Sequence, residues 1–337
     1  MKEKAVIGMS GGVDSSVAAC LLKKDYDVIG VTLLLHGNDD SDARAVARSL
    51  GIEHMSVDMS KVFEKYVINN FLDEYTNART PNPCVWCNYY LKFGAMLDIA
   101  DSVGAKYIAT GHYSRLVEYD SELFPARALF SEKDQTYALY RLTQEKLRRS
   151  LFPLGNLAKS DVRKIAEDIG LSVANKKDSQ EICFIPDGDY ASYIEKRRGK
   201  SPEGNMIGPD GEILGRHRGL IHYTVGQRRG IGVSYSERIF VSRLDAEKNE
   251  VILGREGAQS RTRVSAGNVT FISAKPFPKE ISCTAKIRYN GLPSPCRVFF
   301  DGNTLTAEFE TPARGVSPGQ SLVLYDGERL LGGGIID

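Results

Sequence analysis

A chain of 337 residues, 42% hydrophobic and 26% charged, is long enough for two or three domains and apolar enough to give them cores. No apolar run approaches the roughly 20 residues that cross a bilayer, the opening MKEKAVIGMSGG turns glycine-rich too soon for a signal peptide, and six cysteines make no disulfide framework, so a cytoplasmic protein is expected. A net charge of +1 argues against a dedicated nucleic-acid binder, although it divides into −5 over residues 1–140, +5 over 141–230 and +1 thereafter. A polyanion would meet its most favourable surface mid-chain, but ordinary solvated surface gives differences of this size too.

KAVIGMS reads as a short buried strand, followed by a helix in SSVAACLLKKD whose Cys20 is expected on the buried face. A second strand (YDVIGVTLLL), a helix (DDSDARAVARSLGI) and a third strand (EHMSVDM) come next. A helical stretch around 61–79, a cysteine segment, a helix in LKFGAMLDIADSVG and a strand in AKYIAT continue the alternation. Such alternation predicts an α/β fold, a parallel sheet covered on both faces, extending to residue 198. Two further helices are expected in TQEKLRRSLF and SDVRKIAEDIG, with Ser160 a plausible N-cap of the second. From 199 to 257 the chain is dense in glycine, and PDG before EILG predicts a hairpin or tight turn. From 258 to 337, alternating runs such as RTRVSAGNVTFI, ISCTAKIRY, CRVFF, TLTAEFE and SLVLYDG predict an antiparallel β-barrel or sandwich.

The first chemical signal is SGGVDSSV at 10–17, between strand and helix, where backbone amides and a helix N-terminus can hold phosphate. Gly11 and Gly12 permit close approach, and Ser10, Ser15 and Ser16 supply hydroxyls. Asp14 would repel phosphate unless it coordinates Mg²⁺ or orients the loop. The segment is neither a GxxxxGK[ST] loop nor a GxGxxG fingerprint. It resembles the loop of the PP-loop ATP pyrophosphatases, which cleave ATP between the α and β phosphates and pass AMP to a substrate oxygen. ATGHY at 109–113 adds to the resemblance through Gly111 and His112, as does KDQTYAL at 133–139 through Lys133, Asp134 and Gln135. His112 taken alone also reads as a satisfied structural histidine, the lesser of the two readings. The resemblance also implies nucleotide contacts at Gly8, Met9 and Leu35.

Three cysteines stand in polar, turn-rich surroundings: Cys84 and Cys87 in NPCVWCN, and Cys183 in KKDSQEICF. Pro81 and Pro83 favour irregular or extended backbone around the first. A zinc site completed by histidine, a local Cys84–Cys87 redox couple, a long-range Cys87–Cys183 sulfur relay and three ligands of a [4Fe–4S] cluster all remain open on spacing alone. Lys176 and Lys177 would favour thiolates, or form a solvated pair.

The loop, NPCVWCN, ATGHY, KDQTYAL, KKDSQEICF, YTVGQRRGIG and SPGQSLVLYDGERLLGGGII occur in this order across essentially the whole chain. Together they resemble the bacterial tRNA-specific 2-thiouridylases. The resemblance implies an adenylating PP-loop domain, a small central domain and a C-terminal β-barrel. It implies ATP and Mg²⁺ as cofactors and sulfur insertion at C2 of the wobble uridine of the tRNAs for Lys, Glu and Gln. A sulfur donor follows, be it a cysteine desulfurase, a sulfur carrier or free sulfide. On the same resemblance Cys183 carries the persulfide and Cys87 is its catalytic partner. Some members have aspartate in place of Cys84, which leaves the cluster alternative in play here. Arg216, Arg218, Arg228 and Arg229, set among glycines, are candidate tRNA contacts, with Arg148, Arg149, Arg197, Arg198 and Arg314 weaker ones. Another PP-loop tRNA sulfurtransferase, an ATP-dependent ligase, or a non-enzymatic tRNA-binding module is the alternative.

Overall fold

The computed structural model describes every residue except Met1, His36, Asn38, Asn175 and 177–181. Its first sheet is built from the short apolar strands β1 (Lys4–Gly8), β2 (Asp27–Leu34) and β4 (Tyr107–Ala109), whose middles are buried, and the half-buried, more polar edge strand β3 (Glu53–Asp58). A hairpin of β5 (Ser114–Tyr119) and β6 (Glu122–Arg127) follows, and β7 (Ser150–Leu151) returns to the sheet. The order is β3-β2-β1-β4-β7, with every pairing parallel. Helices α1 (Val13–Leu22) and α2 (Ser41–Leu50) pack the small residues Ala18, Ala19, Ala43 and Ala47 together with Ile7 and Val28.

A small second sheet, β8 (Gly204–Ile207), β9 (Ile213–His217), β10 (Ile239–Asp245) and β11 (Glu250–Arg255), has the order β10-β11-β8-β9. The expected turn over 208–212 joins β8 and β9 as an antiparallel pair. The third sheet contains β12 (Ser260–Phe271), β13 (Glu280–Lys286), β14 (Ser294–Phe300), β15 (Leu305–Arg314), β16 (Ser321–Asp326) and β17 (Arg329–Ile336). The β12–β17 pairing closes these six strands into an antiparallel barrel, which decides between barrel and sandwich.

The barrel is not an appendage. β6 pairs with β17 at Ala126 and Arg329, so the β5–β6 hairpin continues the barrel's sheet. One buried cluster contains Val6 and Val31 of the first sheet, Tyr137 and Tyr140, and the barrel's Ile272, Val323, Tyr325 and Leu330. Tyr137 Oη donates to Ser321 O at 2.8 Å.

Local details depart from expectation. The hairpin β5–β6 and the helix Tyr190–Arg198 add to the anticipated elements. Ser160 lies inside the helix Lys159–Asp168, while Asp161 Oδ2 accepts from Ala158 N at 3.3 Å and caps it. Cys20 is partly exposed on α1 rather than buried. Among the described residues no helix is long and apolar enough to cross a membrane.

Candidate active site

β2 and β3 lie on one side of β1, and β4 and β7 on the other. Open parallel sheets bind ligands in the crevice beyond the carboxyl ends of strands at such a switch point. SGGVDSSV leaves β1 there, and residues 110–113 leave β4 beside it. Met9 N donates to Val31 O at 2.8 Å, the last tie before the chain departs the sheet. Gly11 turns with φ +70°, and a Cβ on it would stand 2.7 Å from that of Asp42. Gly12 is the N-cap of α1, and no side chain caps the helix. Ser15 and Ser16 donate their hydroxyls to Gly12 O at 3.1 and 2.8 Å, and Ser10 N donates to Ser15 Oγ at 3.2 Å. The hydroxyls brace the loop, and the uncapped positive end of α1 is left for an anion. The loop therefore fits the phosphates of a nucleotide. Leu35 follows β2 and packs, half-buried, on the aromatic cluster described below.

Asp14 is not left facing that anion. Lys159 Nζ reaches its two carboxylate oxygens at 2.7 and 2.9 Å, and Tyr113 Oη donates to Oδ1 at 2.7 Å. Of the two roles expected for Asp14, orienting the loop describes this arrangement. Gly111 packs against the first turn of α1 so closely that a Cβ would meet Ser15 N at 2.9 Å. Next to it His112 is buried, its Nδ1 2.8 Å from Thr110 Oγ1 and its ring 5.8 Å from that of Phe93. Burial first, and the Lys92 ammonium second, hold its pKa well below the usual histidine range. His112 is a neutral imidazole at neutral pH.

NPCVWCN folds as one helical turn, Pro83–Cys87. Asn82 accepts from Cys84 N at 3.2 Å and Pro83 fills the first helical position, so the prolines start a helix here instead of extending the chain around Cys84. Trp86 lies on the Arg141 guanidinium at 4.5 Å, and Arg141 reaches Asn268 O and Oδ1 of the barrel at 3.0 Å each. Gln320 Nε2 donates to Thr80 O and Pro81 O at 2.9 and 3.1 Å, fixing the approach to the helix from the barrel side.

The distant cysteine comes to this helix. Cys183 lies between Ile182 and Phe184, both packed in the same apolar cluster as Cys87. Phe184 sets its ring edge-on to Phe63 and Phe71 at 5.5 and 5.3 Å. Burial pushes the Cys87 thiol up to about 12; Lys92 opposes this, and Cys84 and Cys183 add to it. Burial and Cys84 also raise Cys183, again against Lys92. All three thiols are free. Lys176 pairs instead with Asp42 at 2.6 Å, beside the nucleotide loop, and Lys177 lies outside the described residues.

The cysteine alternatives that require metal fare differently. Among the described residues, which include all three cysteines, no group of three or more His, Cys, Asp or Glu side chains is disposed to hold a metal ion. This arrangement does not fit a [4Fe–4S] cluster or a zinc ion, and no step is derived through either.

The polar candidates divide. Asp134 accepts from Thr136 Oγ1 at 2.9 Å and ties its own turn, whereas Gln135 Oε1 accepts from Tyr113 N at 2.9 Å and holds the backbone next to His112. Lys133 is partly exposed on the turn Ser131–Lys133. Arg216 is exposed, 3.9 Å from Glu203. Arg218, Arg228 and Arg229 are exposed on glycine-rich loops. The segment before Arg228 is tied to β10, with Gly226 N donating to Val241 O at 2.8 Å. Arg149, Arg197 and Arg198 pair with Asp101, Glu64 and Asp73, and Arg148 donates to Ser121 O. Arg314 is exposed at the end of β15.

Residues 3–187 match the family described as tRNA methyl transferase HUP domain, 191–255 its PRC-barrel domain, and 261–336 the aminomethyltransferase beta-barrel domain. The tRNA-specific 2-thiouridylase MnmA of Clostridium acetobutylicum is 44% identical over 354 residues, covering 100% of both chains. The chain belongs to the tRNA-specific 2-thiouridylase family. A second thiouridylase, from Lachnoclostridium phytofermentans, is 45% identical over 99% of each chain. Among solved structures, NMN synthetase from Francisella tularensis matches with a TM-score of 0.34 and 20% identity, over 53% of this chain and 67% of that one.

In this thiouridylase the residues missed by sequence reasoning are supporting ones: Lys92, Tyr113, Arg141, Lys159 and Gln320. Lys159 heads a helix and Gln320 lies in the quoted SPGQ segment, yet neither partner is near in sequence. Only the fold brings Asp14 to the one and Pro81 to the other.

Proposed function

We propose that this chain makes 2-thiouridine at the wobble uridine of the tRNAs for Lys, Glu and Gln, with consumption of ATP in the presence of Mg²⁺ and release of AMP and pyrophosphate. The observation that carries the reading is the junction at Gly111–Tyr113, which packs a phosphate-type loop against a buried histidine, with Lys92 acting on that histidine and on the thiols of Cys87 and Cys183. The end-to-end similarity to thiouridylases supports thiolation over the methyl transfer named in the domain descriptions. The family matches change over between 187 and 191 and between 255 and 261, against proposed divisions at 198 and 257.

ATP supplies a leaving group, because adenylation turns the poorly leaving C2 oxygen into AMP. The amides of the loop and the first turn of α1 bind the phosphates and stabilise charge developing on them. Asp14, held by Lys159 and Tyr113, fixes the loop's shape. Cys183 receives a sulfane sulfur from the donor and holds it as a persulfide. The terminal sulfur attacks C2, and AMP leaves with the C2–O electron pair. Cys87 then attacks Cys183 Sγ as a thiolate. A Cys87–Cys183 bond forms, the bond from Sγ to the transferred sulfur breaks, and its electron pair remains with 2-thiouridine. The resulting disulfide is reduced by an external thiol before the next turnover. An anticodon-loop base is unpaired, so it can be splayed into this crevice at little cost. Arg216, Arg218, Arg228 and Arg229 are the cations we assign to the RNA backbone.

The test supplies ATP, Mg²⁺, a persulfide donor and unmodified tRNA for Lys, Glu or Gln, and maps products by nucleoside mass spectrometry. Thiolation at position 34 with one AMP per sulfur is expected, and Cys183→Ser should release pyrophosphate without thiolation. Undiminished thiolation by Cys183→Ser would sink the relay. Sulfur at another position would favour a different tRNA sulfurtransferase.

A further inference from the structure

The helical stretch bearing Cys84 and Cys87 continues from Pro83–Cys87 straight into a π-helical segment, Asn88–Ala95. An α-helix turns residue i+5 well away from residue i, whereas a π-helical turn, bonded i to i+5, returns it to the same face. Cys87 and Lys92 are separated by that interval. The two neighbours of Lys92 show what flanks it. Leu91 is buried in the cluster that holds Cys87, Ile182 and Phe184, and Phe93 sets its ring 5.8 Å from His112. The wide turn is also secured from outside, because Lys146 Nζ donates to Tyr89 O at 2.8 Å.

We propose that Lys92 is a positioning residue for sulfur transfer, its ammonium set on the Cys87 side of the wide turn and lowering the cost of ionising each sulfur when it must act. The inference rests on the persulfide reading above. Cys183 needs to be a thiolate to take sulfur from a donor persulfide, whose own sulfur leaves with the electron pair. Cys87 needs the same to attack Cys183 Sγ. Lys92 neither gains nor loses a proton in these steps. Among the described residues, the ionisable groups acting on Cys87 are Lys92, Cys84 and Cys183, and those acting on Cys183 are Cys84 and Lys92. Cys84 also acts on Tyr289 of the barrel, and Lys92 on His112. Of these groups, Lys92 favours the charged form of both sulfurs.

Iodoacetamide alkylation of the full-length reduced chain, followed thiol by thiol by peptide mass spectrometry from pH 6.5 to 9.5, reads this directly. It requires neither tRNA nor sulfur donor, so its outcome is independent of the Cys183→Ser thiolation test. Lys92→Met and Lys92→Gln should slow alkylation of Cys87 and Cys183 about tenfold at pH 7.5 and move both profiles upward by about one pH unit. Lys92→Arg should restore both to within about threefold, and Cys20 on α1 should react alike in all four proteins. Unchanged rates at both thiols in Lys92→Met and Lys92→Gln would overturn the proposal. So would an arginine variant as slow as the neutral ones.

Discussion

The nucleotide loop and the thiol cluster are neighbours built in opposite ways. The loop is assembled by one strand-to-helix junction, with hydroxyls from Ser15 and Ser16 closing on Gly12 a few residues away. The cluster needs a helix at 83–87, a wide turn at 88–95, Cys183 from nearly a hundred residues later and bracing from the barrel through Arg141 and Gln320. A locally built site tolerates change at a distance. A site gathered from afar inherits the fate of every element that frames it.

The strongest way to break this contrast is at the join. Gly111→Val drives a branched side chain into Ser15 N, where even a Cβ would stand at 2.9 Å. Misplacing the loop and His112 together should lower both ATP cleavage and thiolation on the order of a hundredfold. Pyrophosphate release and 2-thiouridine, measured on the same samples, check that both fall. A loss confined to thiolation would mean the loop does not lean on this segment.

A change of pH should separate the halves. Cys87 titrates at about 12, so over pH 7–9 its thiolate, and with it single-turnover sulfur transfer, should rise about tenfold per unit. Pyrophosphate release should show no break near pH 6.5, because His112 is already neutral there. A sulfur-transfer rate flat with pH would remove Cys87 ionisation from the limiting step. The smallest effect is expected from Gln320→Leu, which removes two hydrogen bonds to Thr80 O and Pro81 O. Thermal denaturation should show a loss of about 1–2 kcal/mol, with thiolation falling more than pyrophosphate release.

The same contrast explains what could be read from sequence. SGGVDSSV was legible because its glycines, hydroxyls and helix start act on one another within a few residues. The three cysteines were legible as residue types, but their surroundings were not, since Lys92 sits in a run that reads as ordinary helix. The extended reading around Cys84 yielded to the Asn82 cap with Pro83 behind it. Arginine composition could not tell Arg197 and Arg198, whose charges pair with Glu64 and Asp73, from Arg228 and Arg229 on a glycine-rich loop. The β5–β6 hairpin was hidden because Pro125 argues against a strand; it is tolerated where β6 meets β17 at a single residue pair.

That pairing has a consequence for synthesis. Ala126 waits for Arg329, made roughly 200 residues later, a delay of about 10–40 s at 5–20 residues per second. Through that interval the nascent chain carries an unfinished strand edge, and Val6 and Val31 lack their partners Tyr325 and Leu330. The first sheet to leave the ribosome is therefore among the last parts of the molecule to be completed, and until then it is the portion most in need of a chaperone's cover.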